Sequence, residues 1–191
     1  MPDGFVVAPA TAAEAEAVLA DLRPEHRREI AGLTRLAPEA AVRLSLARAR
    51  YVFVGREAES GEPLCLIGVD EKPLLSDSAA VWLLARERLD RRALAAAVGL
   101  RQLFGQAHRL ARARRLTQLV PLWYRKGLKW LRWLGWREEG VEILPGGPHA
   151  RVAHFEAREF EPASGTLRNG CPGGPGGVFP VPCGKSRADW A

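Results

Sequence analysis

The centre of the sequence carries a long apolar stripe at helical spacing, placed between two short apolar segments. Residues 79–85 and 116–120 are short and apolar, which is typical of strands, and Asp90 is of a type that often caps helices. We therefore predict a helix over about 91–115 that crosses one face of a sheet. The side chains predicted to be buried are Leu94, Val98, Leu103, Phe104 and Leu110.

The segments ahead of this helix predict one strand and three helices. Residues 5–7 are apolar, and Thr11 with Glu14 forms a capping-box pattern before an alanine-rich helix. Pro24 and Pro38 are each followed by helix-forming residues, and proline is favoured in the first turn of a helix. The first part of the chain therefore alternates between a strand and short helices.

The remaining segments predict two strand pairs and a second amphipathic helix. The apolar runs 51–54 and 64–69 flank a Ser-Gly-Glu turn and predict a hairpin. Residues 124–134 are amphipathic and end at a glycine, and the runs 141–144 and 151–157 flank a Pro-Gly-Gly-Pro turn. We predict an α/β (α+β) fold, in which helices flank a mixed, mostly antiparallel sheet of six or seven strands.

The composition changes after residue 159, where we expect the domain 1–159 to end. The last 32 residues, 160–191, contain 7 glycines and 5 prolines, which oppose regular structure. We expect this tail to become ordered only through contacts outside its own domain. Its apolar residues, which would bind the partner, are Val178, Phe179, Val181 and Trp190.

The overall composition is that of an ordinary globular protein, with 47% hydrophobic and 26% charged residues. The longest apolar runs have seven residues, whereas crossing a bilayer takes about 20, so we expect no membrane span. The N-terminus lacks the pattern of a secretion signal, and we expect synthesis in the cytoplasm. The three cysteines and four histidines have no zinc-like spacing, so we expect neither a disulfide framework nor a metal site.

Positive charge is concentrated in the middle of the chain. The whole sequence has a net charge of +6, but residues 86–137 contain 14 basic and 2 acidic residues, a net charge of +12. Such a segment favours an anionic partner, which could be nucleic acid, a phosphorylated cofactor or an acidic protein surface. The alternative is a solvated helix face with no partner.

The order of these elements resembles the GCN5-related N-acetyltransferase fold over about residues 3–158. The hairpin over 51–69 and the block 116–136, with its leucine-glycine-aromatic ending, are the more specific parts of this resemblance. Within the superfamily, the strand 81–84 and the block 129–136 look most similar to tailed-phage proteins described as acetyltransferase-like or as internal virion protein A. Members of the family that bind acetyl-CoA hold its pyrophosphate at a glycine-rich turn.

The resemblance places this phosphate turn at the junction between the fourth strand and the long helix. Here the junction contains no glycine, so side chains would crowd a pyrophosphate. Asp90, as the predicted N-cap, would also compete for the helix N-terminal donors. The residues left to bind the anion are Arg86, Arg88, Arg91 and Arg92.

The resemblance further implies a tyrosine that protonates the departing CoA thiolate, four residues before the glycine of the last motif. That position is Leu131. Tyr124, earlier on the same predicted helix, is the candidate acid, and ordinary packing is its alternative role. Glu87 is the candidate general base, as the carboxylate close in sequence to the end of the central strand, and pairing with an arginine is its alternative.

Three functions remain open from the sequence. The main hypothesis is a phage or prophage protein with a degenerate acetyl-CoA site and no cofactor, which binds other virion or tail proteins and passes from the host cytoplasm into the virion. The alternative is an active acetyl-CoA-dependent N-acetyltransferase. The third is a nucleic-acid-binding protein that stacks bases on Trp123, Trp130, Trp133 or Trp136, although helical spacing favours packing for several of these residues.

Overall fold

A seven-stranded sheet forms the centre of the molecule in the computed structural model, which describes residues 4–34, 36–71 and 73–155. The strands lie in the order β1-β2-β3-β4-β5-β7-β6, and the neighbouring pairs are antiparallel except for the parallel pair β4 and β5. The mixed, mostly antiparallel sheet predicted from the sequence is confirmed. The elements are β1 (Phe5–Pro9), α1 (Ala12–Ala20), α2 (Pro24–Leu33), α3 (Pro38–Arg48), β2 (Ala49–Glu57), β3 (Pro63–Asp70), β4 (Ser78–Ala85), a 3-10 helix (Glu87–Arg92), α4 (Ala93–Ala111), β5 (Arg115–Pro121), α5 (Arg125–Trp133), β6 (Arg137–Leu144) and β7 (Gly147–Phe155).

The first helices begin where the sequence predicts. Thr11 caps α1, its hydroxyl accepting a hydrogen bond from the Glu14 backbone N–H, and the Glu14 carboxylate accepts one from the Thr11 backbone in return. Pro24 and Pro38 stand at the first positions of α2 and α3. The ring of proline is preorganised for this position, where its missing N–H costs nothing.

Two apolar clusters divide the core, and alternation along β3 separates them. Cys65 and Ile67 belong to the cluster shared with α4 and α5, whereas Leu66 between them belongs to the cluster shared with α1, α2 and α3. Successive side chains of a strand point to opposite faces, which explains this division. β3 is therefore covered on both faces.

The apolar stripe of α4 is buried over most of its length, with a correction at its N-terminal end. Leu103 and Phe104 are buried as predicted, but Leu94 and Val98 are 69% and 56% exposed. At about 100° per residue, these two positions lie more than roughly 90° around the helix from the centre of the buried arc. The prediction that they are buried was wrong. Residues four apart lie on the same side of a helix, whether that side is buried or exposed, so the spacing of Leu94 and Val98 does not decide their burial.

The start of α4 also differs from the sequence prediction. A 3-10 helix, Glu87–Arg92, precedes α4, and the residue at the N-cap position is Arg92, without a side-chain cap. Asp90 was predicted as the N-cap and instead lies inside the 3-10 helix. The helix ends at Ala111, four residues before the predicted end, because Arg112 adopts a left-handed conformation with φ of 49°.

Within the described part of the chain, no helix is long and apolar enough to cross a membrane. The same residues contain no group of three histidines, cysteines or acidic residues that could hold a metal ion. The predicted tail, 160–191, with Val178, Phe179, Val181 and Trp190, lies outside the described residues.

Candidate functional site

The sheet opens between its two parallel strands, and a cavity occupies the opening. β4 and β5 pair only from Ser78–Ala80 to Arg115–Thr117, and their C-terminal halves diverge. The cavity beyond this point has a volume of about 140 Å³. Its walls come from α2, β4, the 3-10 helix, α4, β5 and α5, through Arg23, His26, Glu29, Val81, Leu83, Leu89, Asp90, Ala93, Phe104, Gln118, Val120, Tyr124, Lys126, Gly127, Trp130 and Leu131.

The start of α2 is tied to the end of β4 by two hydrogen bonds. The Arg23 backbone N–H donates to the Ala85 carbonyl at 3.0 Å, and the Ala85 N–H donates to His26 Nδ1 at 2.9 Å. Burial lowers the pKa of His26 to about 3, with the nearby Arg23 cation contributing, so the ring is neutral. Because Nδ1 accepts a hydrogen bond, the ring proton lies on Nε2. These bonds bring α2 to the mouth of the opened sheet.

A buried guanidinium links three walls of the cavity. Arg23 is 7% exposed and donates to the Tyr124 hydroxyl at 2.8 Å, to the Arg86 carbonyl at 3.1 Å and to Asp90 at 3.2 Å. Lys126 of α5 also pairs with Asp90. A buried cation requires such partners because removing it from water is costly. Asp90 therefore serves as the counter-ion of Arg23, which explains why it does not cap α4.

Tyr124 stands at the N-cap position of α5 with its ring packed over the first turn. A Cβ atom at Gly127 would lie 2.6 Å from the Tyr124 ring, so only glycine permits this packing. Burial raises the pKa of Tyr124, against the effect of Arg23. The phenol is therefore protonated at neutral pH. Its oxygen accepts from Arg23, which leaves its own proton available to a group in the cavity.

Glu29 brings a carboxyl group with an unusual pKa to the same cavity. It is on α2, three residues after His26, and burial raises its pKa to about 7. A carboxyl group with a pKa near the working pH can accept a proton and release it again, which is what general base catalysis requires.

Apart from Gln118, most of the remaining cavity wall is apolar or aromatic. Val81, Leu83 and Val120 line the wall formed by the two parting strands. Trp130 Nε1 is buried without a hydrogen-bond partner among the described residues. A buried N–H without a partner is unfavourable in the free protein.

The arginine-rich junction faces a second cavity on the other side of the 3-10 helix. Arg88, Arg91 and Arg92 line it together with Glu57 and Glu62 of the β2–β3 hairpin. Arg88 pairs with Glu62 at 2.8 Å, and Arg92 pairs with Glu57 at 2.7 Å. Two of the three guanidinium groups of this cavity therefore already have carboxylate partners.

The predicted site residues are distributed over both cavities and beyond. Tyr124 lines the cavity between the strands, and Arg88, Arg91 and Arg92 line the second cavity. Arg86 pairs with Asp21 at 2.8 Å and with Glu62 at 2.7 Å. The remaining candidate, Glu87, is exposed in the 3-10 helix and is not among the described residues that line either cavity.

Sequence reasoning missed Glu29, His26 and Arg23, because all three come from a helix distant in sequence from the phosphate turn. One local signal was present. α2 buries His26 and Ile30, four residues apart, and Glu29 lies on the same side of the helix. An ionisable residue beside an apolar stripe is a candidate for a shifted pKa.

Known structures share this architecture at low sequence identity. A GCN5-related N-acetyltransferase from Kribbella flavida aligns with a TM-score of 0.61 and 18% identity, over 81% of this chain and 99% of the other. Spermidine N-acetyltransferase from Vibrio cholerae, in complex with CoA and spermine, gives 0.61 and 12%, over 80% and 95%. Ribosomal-protein-S5-alanine acetyltransferase from Vibrio fischeri gives 0.58 and 13%, over 83% and 96%. The sequence matches no protein-family model and no curated protein.

The chain therefore has the fold of the GCN5-related N-acetyltransferases. At these identities the similarity establishes the fold alone. The closer resemblance to tailed-phage proteins receives no support from these neighbours and stays a prediction.

Proposed function

We propose that this protein is an N-acetyltransferase that moves an acetyl group from acetyl-CoA to an amine. The observation that carries the proposal is the cavity between β4 and β5, which brings together a carboxyl group of pKa about 7 and a half-buried phenol. We prefer this function to the virion-associated role, because the structural neighbours are acetyltransferases and give the virion role no support. Nucleic-acid binding likewise has no observation of its own in its favour.

Glu29 is the proposed general base. An amine acceptor is an ammonium ion at neutral pH and cannot attack a carbonyl carbon until it loses a proton. The Glu29 carboxylate, with its pKa near 7, takes that proton, and the cavity walls hold the freed nitrogen in a water-poor space.

Tyr124 is the proposed general acid, although it does not occupy the position of the family's tyrosine. As nitrogen bonds to the acetyl carbon and the carbon–sulfur bond breaks, the sulfur leaves with the electron pair and the Tyr124 hydroxyl gives it a proton. Arg23, bonded to the same hydroxyl at 2.8 Å, stabilises the phenolate formed. The nitrogen loses two protons in total. One passes through Glu29 to solvent, and the other restores the proton that Tyr124 gave to the sulfur.

The acyl end of the donor fits the cavity. The thioester would lie against Val81, Leu83 and Val120. Acetyl-CoA supplies the activated acetyl group, and the residues named above bind it and control proton transfer. The nucleotide end fits less well, because carboxylates already hold two of the three arginines of the second cavity.

The pH dependence of acetyl transfer tests this assignment. With acetyl-CoA and a panel of primary amines, we expect kcat/KM of the wild type to rise with pH and a limb near pH 7 to disappear in Glu29→Gln. The variant should lose roughly 100-fold or more in kcat/KM, the usual contribution of a general base. The titration of the amine is common to both proteins, so the difference isolates Glu29.

Glu16→Gln is the matched control, because Glu16 is an exposed carboxylate on α1 paired with Arg43. It should leave the profile unchanged. We expect Glu29→Gln to stay folded: the pKa of Glu29 is about 7 in the folded protein, above the ordinary value of 4.5, so wild-type stability falls as pH rises between these values and glutamine removes this loss. Equal profiles for wild type and Glu29→Gln would refute the role of Glu29.

A further inference from the structure

The second cavity adjoins the junction where the resemblance places the pyrophosphate of the donor, and two of its three arginines, Arg88 and Arg92, are already paired with carboxylates. Arg88 and Arg86 both end on Glu62, at 2.8 and 2.7 Å, and Arg92 ends on Glu57 at 2.7 Å. A phosphate group would have to displace these carboxylates before it could bind the guanidinium groups. Three arginines and two glutamates line the cavity, so the surplus of positive charge is small.

The two carboxylates are held in place by the turn that carries them. The Glu57 N–H donates to the Glu62 carbonyl at 3.0 Å, and the Gly61 N–H donates to the Glu57 carbonyl at 2.9 Å. The Ser60 hydroxyl donates to the Glu57 carboxylate at 2.7 Å, and this bond together with Arg92 lowers the pKa of Glu57. Both groups are therefore preorganised to face the arginines.

The backbone offers no replacement for these side chains. The 3-10 helix Glu87–Arg92 leads directly into α4, so its carbonyl groups stand next to the N–H groups of the first α-helical turn. Each residue of the junction also carries a side chain. A glycine turn, which would expose successive N–H groups to a phosphate, is missing.

We infer that this protein selects its donor by the acyl-pantetheine arm and not by the nucleotide, and that Glu57 and Glu62 are the specificity-determining residues that withhold the arginines from phosphate. The inference rests on the proposed function. The arm enters the apolar cavity between β4 and β5, while the nucleotide of CoA contributes little to binding or turnover. An acyl-pantetheine without nucleotide is then as good a donor as acetyl-CoA.

Two measurements on the full chain test this selectivity. Calorimetry compares CoA with pantetheine, and kcat/KM compares acetyl-CoA with S-acetyl-pantetheine. We expect each pair to agree within about threefold, whereas two charge-assisted hydrogen bonds to phosphate would separate them by roughly 100-fold. A preference for the nucleotide-containing ligand above about 30-fold, or no binding of either ligand at millimolar concentration, would overturn the inference.

Removing the carboxylates that pair with the arginines should create a preference for CoA over pantetheine. In the double variant Glu57→Gln and Glu62→Gln, we expect affinity for CoA to rise about tenfold and affinity for pantetheine to stay within twofold. Glu16→Gln is the matched control and should change neither affinity. It removes the carboxylate of an exposed Arg–Glu pair between α1 and α3. A double variant with no gain for CoA would overturn the role of the two glutamates.

The proposed function and this inference fail in different ways. Acetyl transfer with a strong preference for CoA would leave the function standing and reject the inference. Equal binding of CoA and pantetheine without acetyl transfer to any amine would reject the function and leave only the binding of the pantetheine arm without help from the nucleotide.

Discussion

At the residue scale, one buried cation organises the candidate site. Arg23 joins the end of β4, the 3-10 helix and α5, and its partners include the hydroxyl of Tyr124 and the carboxylate of Asp90. Arg23 is buried whereas Asp90 is exposed, so removing Asp90 would leave a buried cation without its counter-ion. The arrangement therefore couples the position of the proposed acid, Tyr124, to the integrity of the fold around it.

His26 permits a separate stability test at the same scale. In His26→Phe the Ala85 N–H loses its acceptor, and we expect a loss of about 1 to 3 kcal/mol in the free energy of unfolding at pH 7, measured by urea denaturation. The wild-type pKa of about 3 lies below the ordinary histidine value of 6.5, so the contribution of His26 is present above pH 6.5 and declines as pH falls.

The pH dependence of the variant distinguishes this role from simple packing. Between pH 7 and pH 5 the wild type should lose stability faster than His26→Phe, because the variant has no imidazole to protonate on unfolding. Part of the slope should survive in the variant, since burial also lowers the pKa of His154 to about 4. Parallel slopes in the two proteins would show that His26 is not the neutral acceptor described above.

At the scale of elements, the parting of β4 and β5 creates the cavity, and α4 supports the sheet beside it. α4 contacts β1, β3 and β5 and buries its central residues against them. Its N-terminal half presents Leu94 and Val98 to solvent. One face of α4 therefore packs on the sheet and stabilises it, whereas the exposed face contributes little to stability.

Two matched substitutions on α4 test this difference. Leu103 is 1% exposed and Leu94 is 69% exposed, on the same helix and with the same side chain. We expect Leu103→Asp to lower the free energy of unfolding by about 3 to 5 kcal/mol, because it leaves a charge in the core. Leu94→Asp should change it by less than about 0.5 kcal/mol. Similar losses in the two variants by chemical denaturation would contradict the orientation of α4.

At the scale of the whole molecule, the concentration of positive charge in the sequence is partly offset by the fold. Residues 86–137 carry a net charge of +12, yet carboxylates from other segments approach their arginines. Besides the hairpin glutamates, Glu139 pairs with Arg115 at 2.6 Å and Glu138 with Arg132 at 2.5 Å. Exposed pairs of this kind contribute little stability, but they weaken the field that an anionic partner would meet.

The extent of the folded domain can be tested by shortening the chain. The described core lies within residues 4–155, so we expect a chain ending at residue 159 to keep its Tm within about 3 °C and its affinity for pantetheine unchanged. Thermal unfolding followed by circular dichroism, with the full chain as control, measures this. A fall of more than about 6 °C would mean that residues 160–191 belong to the domain and not to a separate tail.

The sequence by itself determined the order of the elements, the capping of α1, the β2–β3 hairpin and the buried centre of α4. These features follow from spacing and turn chemistry within a few residues, and local patterns record them directly. It also led to Tyr124, which lies on the helix that carries the family's last motif.

Only the tertiary structure decided which side of α4 is exposed, which partner Asp90 takes and which carboxylate enters the cavity. Leu94 and Val98 have the same local pattern as buried residues, and no element of the described residues covers them. Glu29 reaches the opening of the sheet because Arg23 and His26 bind the end of β4, more than fifty residues away in sequence. A pKa depends on burial and on charges brought together by folding, so the site's chemistry could not be obtained from spacing along the chain.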